Sequence, residues 1–334
     1  MIAHFRRFLA TRRGALAGLL LLGVGTPALA QSFPTKPITL IVPFAAGGPS
    51  DVIARLLGEH MGRTLGQQVI VENIAGAGGT AGAKRLVSSP ADGYTLLIHH
   101  LALAAAPALY SNLGYDTQSA FAPVGLVNTG PMVIAGKLAL PPVDGKAFFS
   151  YAKQQAEKLT VAHAGVGSNA HLCAVLISQA LSVKLAQVAY RGTGPAMNDL
   201  VGGQVDVLCD QSTTAVPQVQ SDKIRAYAVT SPERLGVLPN TPTSREVGAE
   251  IDMTIWHGLY APKGTPEAAL DKLNGALQAA LKDPAVLERF KAVGTSAFPA
   301  AEWTREAHAK RFAAEVAKWG VALKAAGLTP QAAN

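Results

Sequence analysis

Histidines, two cysteines and a few carboxylates are the side chains of this 334-residue chain that could do acid–base, nucleophilic or metal chemistry. Beyond residue 30 the histidines are His60, His99, His100, His163, His171, His257 and His308. None of them stands in an H-E-x-x-H zinc motif, and the chain contains no G-x-S-x-G nucleophile motif. Because no nucleophile is assembled with a base, we predict no catalytic residue and no bound metal.

The pair His99-His100 follows a predicted buried strand, which is where α/β proteins place ligands. Adjacent strand residues point to opposite faces, so the two rings cannot readily share one metal ion. We expect one ring to be packed and the other exposed, and we keep His99 as a candidate ligand contact. His171 and Cys173 are two positions apart, which points them away from each other on a helix.

The two cysteines, Cys173 and Cys209, fall in a predicted helix and at the end of a predicted strand. An oxidising compartment would permit a disulfide between them, but their spacing does not establish one. Cysteine is among the residue types that are most often buried as free thiols. We therefore expect two buried thiols rather than a bridge.

Four glycine-containing turns each join a predicted strand to the start of a predicted helix. They are Gly47-Gly48, Gly76–Gly79, Gly165–Ser168 and Arg191–Pro195. Such a turn can present free backbone N–H groups to an anion, or can simply be a tight connection that needs glycine. The spacing of Gly76, Gly78 and Gly82 differs from the dinucleotide fingerprint, and no phosphate-loop motif occurs, so we expect no cofactor.

Three carboxylates, Asp51, Asp206 and Asp210, lie nearest these turns. Each could contact a ligand or could serve as a helix-start or strand-end charge, and the structural role is favoured for Asp206. Helix N-caps are predicted at Ser50, at Thr80, at Ser168 or Asn169, and at Thr265.

Residues 1–30 have the pattern of a secretory signal peptide. Four arginines precede an apolar stretch, and Ala28-Leu29-Ala30 predicts cleavage after Ala30. The stretch is shorter than the roughly 20 residues that a membrane span needs. The formal charge of +7 falls to +3 once these four arginines are removed, and no basic cluster is interleaved with aromatics. We therefore expect an exported, periplasmic protein that binds no nucleic acid.

Strands and helices alternate along the chain, which predicts an α/β fold. The strands Phe121–Val127 and Pro131–Ala135 are separated only by Asn128–Gly130, which suggests a crossing between domains; the Pro-rich stretch Pro232–Pro242 suggests the return. We predict one discontinuous domain from residues 31–130 and 232–334, and a second from residues 131–231. Ligands of such folds bind beyond the carboxyl ends of the strands, where the glycine turns lie.

Several segments together resemble the Bug family of periplasmic solute receptors, which serve tripartite tricarboxylate transporters. They are PFAAGGPSD (43–51), GVGSNAHL (165–172), AYRGTGPAMNDLVGGQVDVLCD (189–210) and WHGLYAPKGTPEAALDKLN (256–274). The resemblance covers essentially the whole chain after the signal peptide. It implies a two-domain, type II Venus-flytrap fold that closes on a small carboxylate, such as a dicarboxylate, an amino acid or an aromatic acid. It also implies delivery to membrane subunits, and we expect a monomer.

The resemblance further implies that main-chain groups and waters hold a ligand carboxylate. By motif position, the first domain contributes Phe44, Ala45, Gly47, Gly48, Ser50 and Asp51, and the second contributes Gly167, Ser168, His171, Tyr190, Gly192 and Asp210. Asp51 and Asp210 could bind water or a ligand amine. His99-His100-Leu101, Arg191 and Cys209 depart from the commoner family pattern, which bears on the identity of the ligand.

Two alternatives remain open at this point. The same fold could act as an extracytoplasmic sensor for a signalling protein, because transport and sensing use the same change of surface. An enzyme is the weaker alternative, since no nucleophile and base are paired.

Overall fold

The computed structural model describes residues 33–325 and 327–332. The predicted signal peptide and its cleavage site at Ala30 lie outside these residues. The strands are β1 (Ile38–Val42), β2 (Val69–Asn73), β3 (Thr95–His100), β4 (Phe121–Lys137), β5 (Thr160–His163), β6 (Ala186–Ala189), β7 (Val207–Gln211), β8 (Ile224–Val229), β9 (Thr254–Pro262) and β10 (Ser296–Ala297). The helices are α1 (Pro49–Leu65), α2 (Thr80–Val87), α3 (Ala102–Leu109), α4 (Gly145–Gln155), α5 (Asn169–Leu181), α6 (Thr193–Val201), α7 (Ser212–Gln220), α8 (Glu267–Lys282), α9 (Pro284–Ala292) and α10 (Arg305–Ala325).

The first group of strands runs in the order β2-β1-β3-β9-β4, with β10 added along β4. β1 pairs in parallel with β2 and β3, and β9 pairs antiparallel with β3 and β4. Four of the five residues of β1 are completely buried. A strand covered on both faces is apolar throughout rather than alternating, which explains why this run was recognisable in the sequence.

The second group runs in the order β8-β4-β7-β5-β6. β5 pairs in parallel with β6 and β7, and the helices α5 and α6 connect these strands. β4 belongs to both groups: residues 121–131 pair with β9, and residues 132–137 pair with β7 and β8. The expectation of two strands was wrong, because hydrogen bonding to β9 continues through Asn128, Thr129 and Gly130. The predicted domain boundaries stay a prediction.

Three predicted helix caps were wrong. α1 is capped by Gly48 and has Pro49 at its first position, so Ser50 is inside the helix. Gly79 precedes α2, and Pro266 precedes α8. The hydroxyls of Thr80 and Thr265 donate instead to carbonyls three residues earlier. The prediction for α5 is confirmed at Ser168, whose side chain accepts a hydrogen bond from the N–H of His171.

Cys173 and Cys209 form a disulfide, with 6.2 Å between their Cα atoms. The expectation of two free thiols was therefore wrong. The bond joins the middle of α5 to β7, two elements that pack directly on each other. Only this packing brings together two residues that are 36 positions apart.

Candidate ligand-binding cleft

Four helices begin around one cavity. The first residues of α1, α5 and α6 and the residue before α7 contribute to its walls. The lining consists of Phe44, Gly48, Pro49, Ser50, His100, Met132, Ala164, Ser168, Asn169, Ala170, Thr193, Asp210 and Gln211. The strands β1, β3, β5 and β7 end at this place, as expected for ligand sites of α/β folds.

Positive electrostatic potential in the cavity comes from backbone N–H groups rather than from charged side chains. The first N–H groups of a helix have no partner within the helix, and they carry the positive end of the helix dipole. Neither lysine nor arginine is present in the lining, as far as the described residues go. Because the backbone donors of several helices converge here, the cavity can hold an anion of carboxylate size.

Ser50 is held by a chain of buried hydrogen bonds that runs away from the cavity. Its Oγ lies 3.1 Å from Nε2 of His257, and Nδ1 of His257 lies 3.0 Å from Oδ1 of Asn128. Nδ2 of Asn128 donates to Oγ1 of Thr295, which donates to the carbonyl of Thr129. This series of hydrogen bonds fixes which atom donates at each step. His257 donates from Nδ1 to Asn128 and accepts a hydrogen bond from the Ser50 hydroxyl at Nε2.

His257 is neutral in this arrangement, because burial, with a contribution from His99, lowers its pKa to about 3. The hydroxyl proton of Ser50 is therefore directed at His257. The lone pairs of its oxygen remain for the cavity, so Ser50 offers an acceptor there through its side chain.

His100 forms an aromatic wall of the cavity together with Phe44, the two rings being stacked 4.8 Å apart at 19°. The N–H of Ala102 donates to Nδ1 of His100, so the ring proton is on Nε2. Burial, followed by repulsion from His99 and His257, holds the pKa of His100 well below its usual value.

His99 is also buried, and burial lowers its pKa to about 4. The expectation that one of His99 and His100 is exposed was therefore wrong. β3 lies between β1 and β9, and elements packed on both faces of the sheet cover the two rings.

Asp210, the last residue but one of β7, is 1% exposed and is the acidic residue of the lining. Its Oδ2 accepts a hydrogen bond from the hydroxyl of Thr214. Burial raises the pKa of Asp210 to about 6, against the opposing effect of hydrogen bonds from Thr214, the Gln211 backbone and Thr193.

Direct contacts join the two sides of the cavity. The N–H of Ala45 donates to the carbonyl of Arg191 over 3.0 Å, and the hydroxyl of Tyr110 donates to the carbonyl of Val166 over 2.7 Å. The backbone of Gly194 lies directly against that of Ala46 and Gly47. The loops after β1 and β6 thus touch each other and close the cavity.

Of the residues predicted to contact ligand, the structure brings five into the lining: Phe44, Gly48, Ser50, Ser168 and Asp210. The others lie outside the lining. Asp51 binds Arg55, Asn73 and the N–H of Gly47, and the hydroxyl of Tyr190 donates to Asp199. The remaining residues outside the lining are Ala45, Gly47, His99, Gly167, His171 and Gly192.

Sequence reasoning missed His100, Asn169, Thr193 and Gln211 as lining residues, together with the apolar Pro49, Met132, Ala164 and Ala170. Asn169 and Thr193 lie within or next to the glycine turns, where position after a strand could have indicated them. Gln211 directly follows Asp210 at the end of β7 and could have been found by the same rule. Met132 had no such indication, because it lies inside β4.

The comparison with protein-family models matches residues 53–328 to the receptor of the tripartite tricarboxylate transporter family, TctC. The chain belongs to this receptor family. A relative from Agrobacterium vitis, the UPF0065 protein in the TAR-I ttuE-ttuC' intergenic region, is 43% identical over 89% of this chain and 86% of its own. The resemblance read from the sequence is thereby confirmed, and the family is one of solute receptors rather than enzymes.

Solved structures of TctC-like receptors share the fold. The periplasmic binding protein BugD is 44% identical, with a TM-score of 0.87 over 90% of this chain and 100% of BugD. MatC from Rhodopseudomonas palustris, solved with bound malate, is 39% identical, with a TM-score of 0.83 over 86% of this chain and 99% of MatC. The predicted two-domain periplasmic binding-protein fold is confirmed by these similarities. Within the described residues, no helix is both long and apolar enough to cross a bilayer.

Proposed function

We propose that this protein is a periplasmic receptor that binds a small carboxylate in the cavity and delivers it to the membrane subunits of a tripartite tricarboxylate transporter. The observation that carries the proposal is the convergence of the starts of α1, α5, α6 and α7 on one cavity. Backbone N–H groups bind a carboxylate there without a cationic side chain. The malate bound by MatC is of the same chemical class.

The cavity is small, with about 20 Å³ of space for the centres of water-sized spheres, which favours a compact ligand over a bulky one. The aromatic wall of Phe44 and His100 and the side chain of Met132 exclude water from its apolar part.

Transport requires that membrane subunits distinguish the closed receptor from the open one. The contacts of Ala45 with Arg191 and of Tyr110 with Val166 cross the cavity, so they form only when the two sides meet. A ligand held by both sides adds its binding energy to these contacts and shifts the protein toward the closed form.

The binding step is tested by thermal-shift measurements on the mature protein, stripped of ligand by unfolding and refolded, against a panel of small carboxylates, amines and neutral sugars. A ligand at 100 times its Kd adds about 2.7 kcal/mol to the free energy of unfolding. Stabilisation by a carboxylate supports the proposal. Stabilisation by amines or sugars, with none by any carboxylate, contradicts it.

Delivery and location need separate experiments. Osmotic-shock release and N-terminal sequencing of the mature protein test export and cleavage after Ala30. Cells lacking the gene should lose uptake of the labelled ligand, and a plasmid copy should restore it. Normal uptake, combined with a lost transcriptional response to the ligand, would favour a sensor instead.

A further inference from the structure

Tyr110 joins the two sides of the cavity through its side-chain hydroxyl. It follows α3 on the side of the first group of strands, and it donates to the carbonyl of Val166, in the loop between β5 and α5 of the second group, over 2.7 Å. Tyr110 is 6% exposed, and burial raises its pKa to about 12. The hydroxyl therefore keeps its proton and remains a donor at neutral pH.

The carbonyl of Val166 is closely surrounded in the closed protein. A Cβ atom at Gly78 would collide with its oxygen, and a Cβ atom at Gly167 would meet the side chains of Leu109 and Tyr110. The described residues give this carbonyl one donor, the hydroxyl of Tyr110. Without that hydroxyl the closed form would hold a carbonyl that lacks a donor, whereas water can reach the oxygen once the two sides separate.

The backbone on both sides of Tyr110 is held by Gln331, in the segment that follows α10. The N–H of Ser111 donates to the carbonyl of Gln331 over 2.9 Å, and the N–H of Gln331 donates to the carbonyl of Leu109 over 3.0 Å. Tyr110 and Gln331 are thus paired like residues of two parallel strands. Both bonds are made by backbone atoms, and the side chain of Gln331 is exposed.

The pairing with Gln331 acts at a point where the chain leaves a helix. α3 ends at Leu109, and Tyr110 has an extended backbone with φ −131° and ψ 127°. Helix ends fray when nothing outside the helix holds them. The segment with Gln331 is itself anchored, because the N–H of Leu328 donates to the carbonyl of Leu323 in α10 and the Leu328 side chain packs against the core. It therefore fixes the direction in which Tyr110 leaves α3.

We propose that residues 328–332 brace Tyr110, and that the braced Tyr110 is a latch that sets how long the ligand stays in the cavity. This inference rests on the proposed function, since a latch acts on a receptor that opens and closes around a ligand. The bond from Tyr110 to Val166 exists only in the closed form, so it stabilises that form and slows its opening. Ligand enters the open form, so the rate of association changes little.

Tyr110→Phe tests the latch, because it removes the hydroxyl and keeps the ring. The probe is whichever of malate, succinate and adipate stabilises the wild-type mature protein most, and stopped-flow measurements give its two rate constants. Dissociation should be about 5- to 150-fold faster, and association should change by less than about threefold. Tyr115→Phe is the matched control, because the Tyr115 hydroxyl has no hydrogen-bond partner among the described residues. This control should behave like the wild type.

Gln331→Pro tests the brace, because proline lacks the N–H that binds the carbonyl of Leu109. Dissociation of the same probe should be about 2- to 12-fold faster, as for the loss of one ordinary hydrogen bond. Gln331→Ala keeps both backbone bonds and should match the wild type. The double variant Tyr110→Phe, Gln331→Pro should be no faster than Tyr110→Phe alone, because the brace acts through the latch.

Amide exchange at Ala45 reports opening without any ligand. Its N–H donates to the carbonyl of Arg191 across the cavity, in a contact that includes neither Tyr110 nor Gln331. Separation of the two sides exposes this N–H to solvent. In the ligand-free protein its exchange should be faster in Tyr110→Phe and Gln331→Pro than in the wild type and the two controls. A change that only loosened the C-terminal segment would leave Ala45 unaffected.

The outcomes separate this inference from the proposed function. Unchanged dissociation in Tyr110→Phe overturns the latch; unchanged dissociation in Gln331→Pro, or additive effects in the double variant, overturns the brace. In each case a probe that binds the wild type leaves the receptor function standing. If none of the three acids and no carboxylate of the wider panel binds, the proposed function fails. Exchange at Ala45 then decides the inference, which equal exchange in all of these proteins overturns.

Discussion

Oγ of Ser50 lies 3.1 Å from Nε2 of His257, although 207 positions separate the two residues in the chain. Ser50 is in the first turn of α1, and His257 is in β9, which the chain forms after returning from the second group of strands. Both residues are at least 95% buried. The hydrogen bond therefore ties the first glycine turn of the cavity to the returning strand, and it fixes the direction in which the Ser50 hydroxyl points.

Ser50→Ala should lower the free energy of unfolding by about 1–3 kcal/mol, because it leaves Nε2 of His257 buried without a donor. Urea unfolding followed by circular dichroism measures the change. Ser296→Ala is the control, since Ser296 is exposed and lies on the short edge strand β10. A loss for Ser50→Ala no larger than that of the control would show that the serine donates elsewhere.

Asp210 should make the ligand-free protein less stable as pH rises. Its folded pKa of about 6 is above the unfolded value of 3.8, so the native state binds more protons between these values. The favourable contribution of the protonated form is complete below pH 3.8 and is lost as pH rises through 6. At neutral pH the charged side chain costs about 3 kcal/mol relative to the protonated one, at 1.36 kcal/mol for each pKa unit.

The difference between wild type and Asp210→Asn isolates this effect, because all other titrating groups are shared. The free energy of unfolding of the variant, relative to wild type, should rise between pH 4 and pH 7. Equal pH dependence of the two proteins would mean that Asp210 keeps an ordinary pKa.

Cys173 and Cys209 should be unreactive toward thiol reagents in the unfolded, unreduced protein, and reduction followed by alkylation should add the mass of two labels. The double variant Cys173→Ala, Cys209→Ala should be about 2–4 kcal/mol less stable, since the bridge restricts the unfolded chain. Its affinity for ligand should also fall, because α5 and β7 carry acceptors of the cavity. Two reactive thiols before reduction would contradict the bridge.

Gly194→Ala should weaken ligand binding about 5- to 150-fold, which corresponds to the roughly 1–3 kcal/mol cost of overpacking. A Cβ atom at this position would collide with the carbonyl oxygen of Ala46 on the other side of the cavity, so the two loops could not close. Calorimetry measures the affinity, and small-angle scattering with saturating ligand should show a more open protein. Gly275→Ala, where a Cβ atom meets nothing within 4 Å, is the control and should bind normally.

Asp51→Asn should reduce stability without changing affinity for ligand by more than a few-fold. Burial raises the pKa of Asp51, but hydrogen bonds from Arg55, Gly47 and Asn73 outweigh it and leave the pKa lowered. The stabilisation that these bonds give is present above pH 3.8 and is lost as the pH falls through the lowered pKa. The loss at pH 7 should be about 1–2 kcal/mol, since Arg55 is half exposed and solvent screens the pair. A large loss of affinity would place Asp51 in the site instead.

Local sequence patterns predicted those strands and helices whose residues strongly favour one secondary structure. β1 was recognised as a short apolar run, and the glycine turns correctly located the starts of α1 and α5 to within a few residues. Caps were less predictable, because the hydroxyls of Thr80 and Thr265 bond to preceding carbonyls rather than to the helix. β4 was divided in two because residues 128–130 look like a turn, and only pairing with β9 keeps them extended.

The amino-acid sequence by itself determined the receptor family and the alternation of strands and helices. These follow from local patterns and from motifs of adjacent residues. The tertiary structure decided which residues share the cavity, because Ser50, His100 and Asp210 meet only when β1, β3 and β7 lie side by side with the connecting helices. It also decided the disulfide and the burial of both His99 and His100, since each depends on contacts between residues that are distant in the chain.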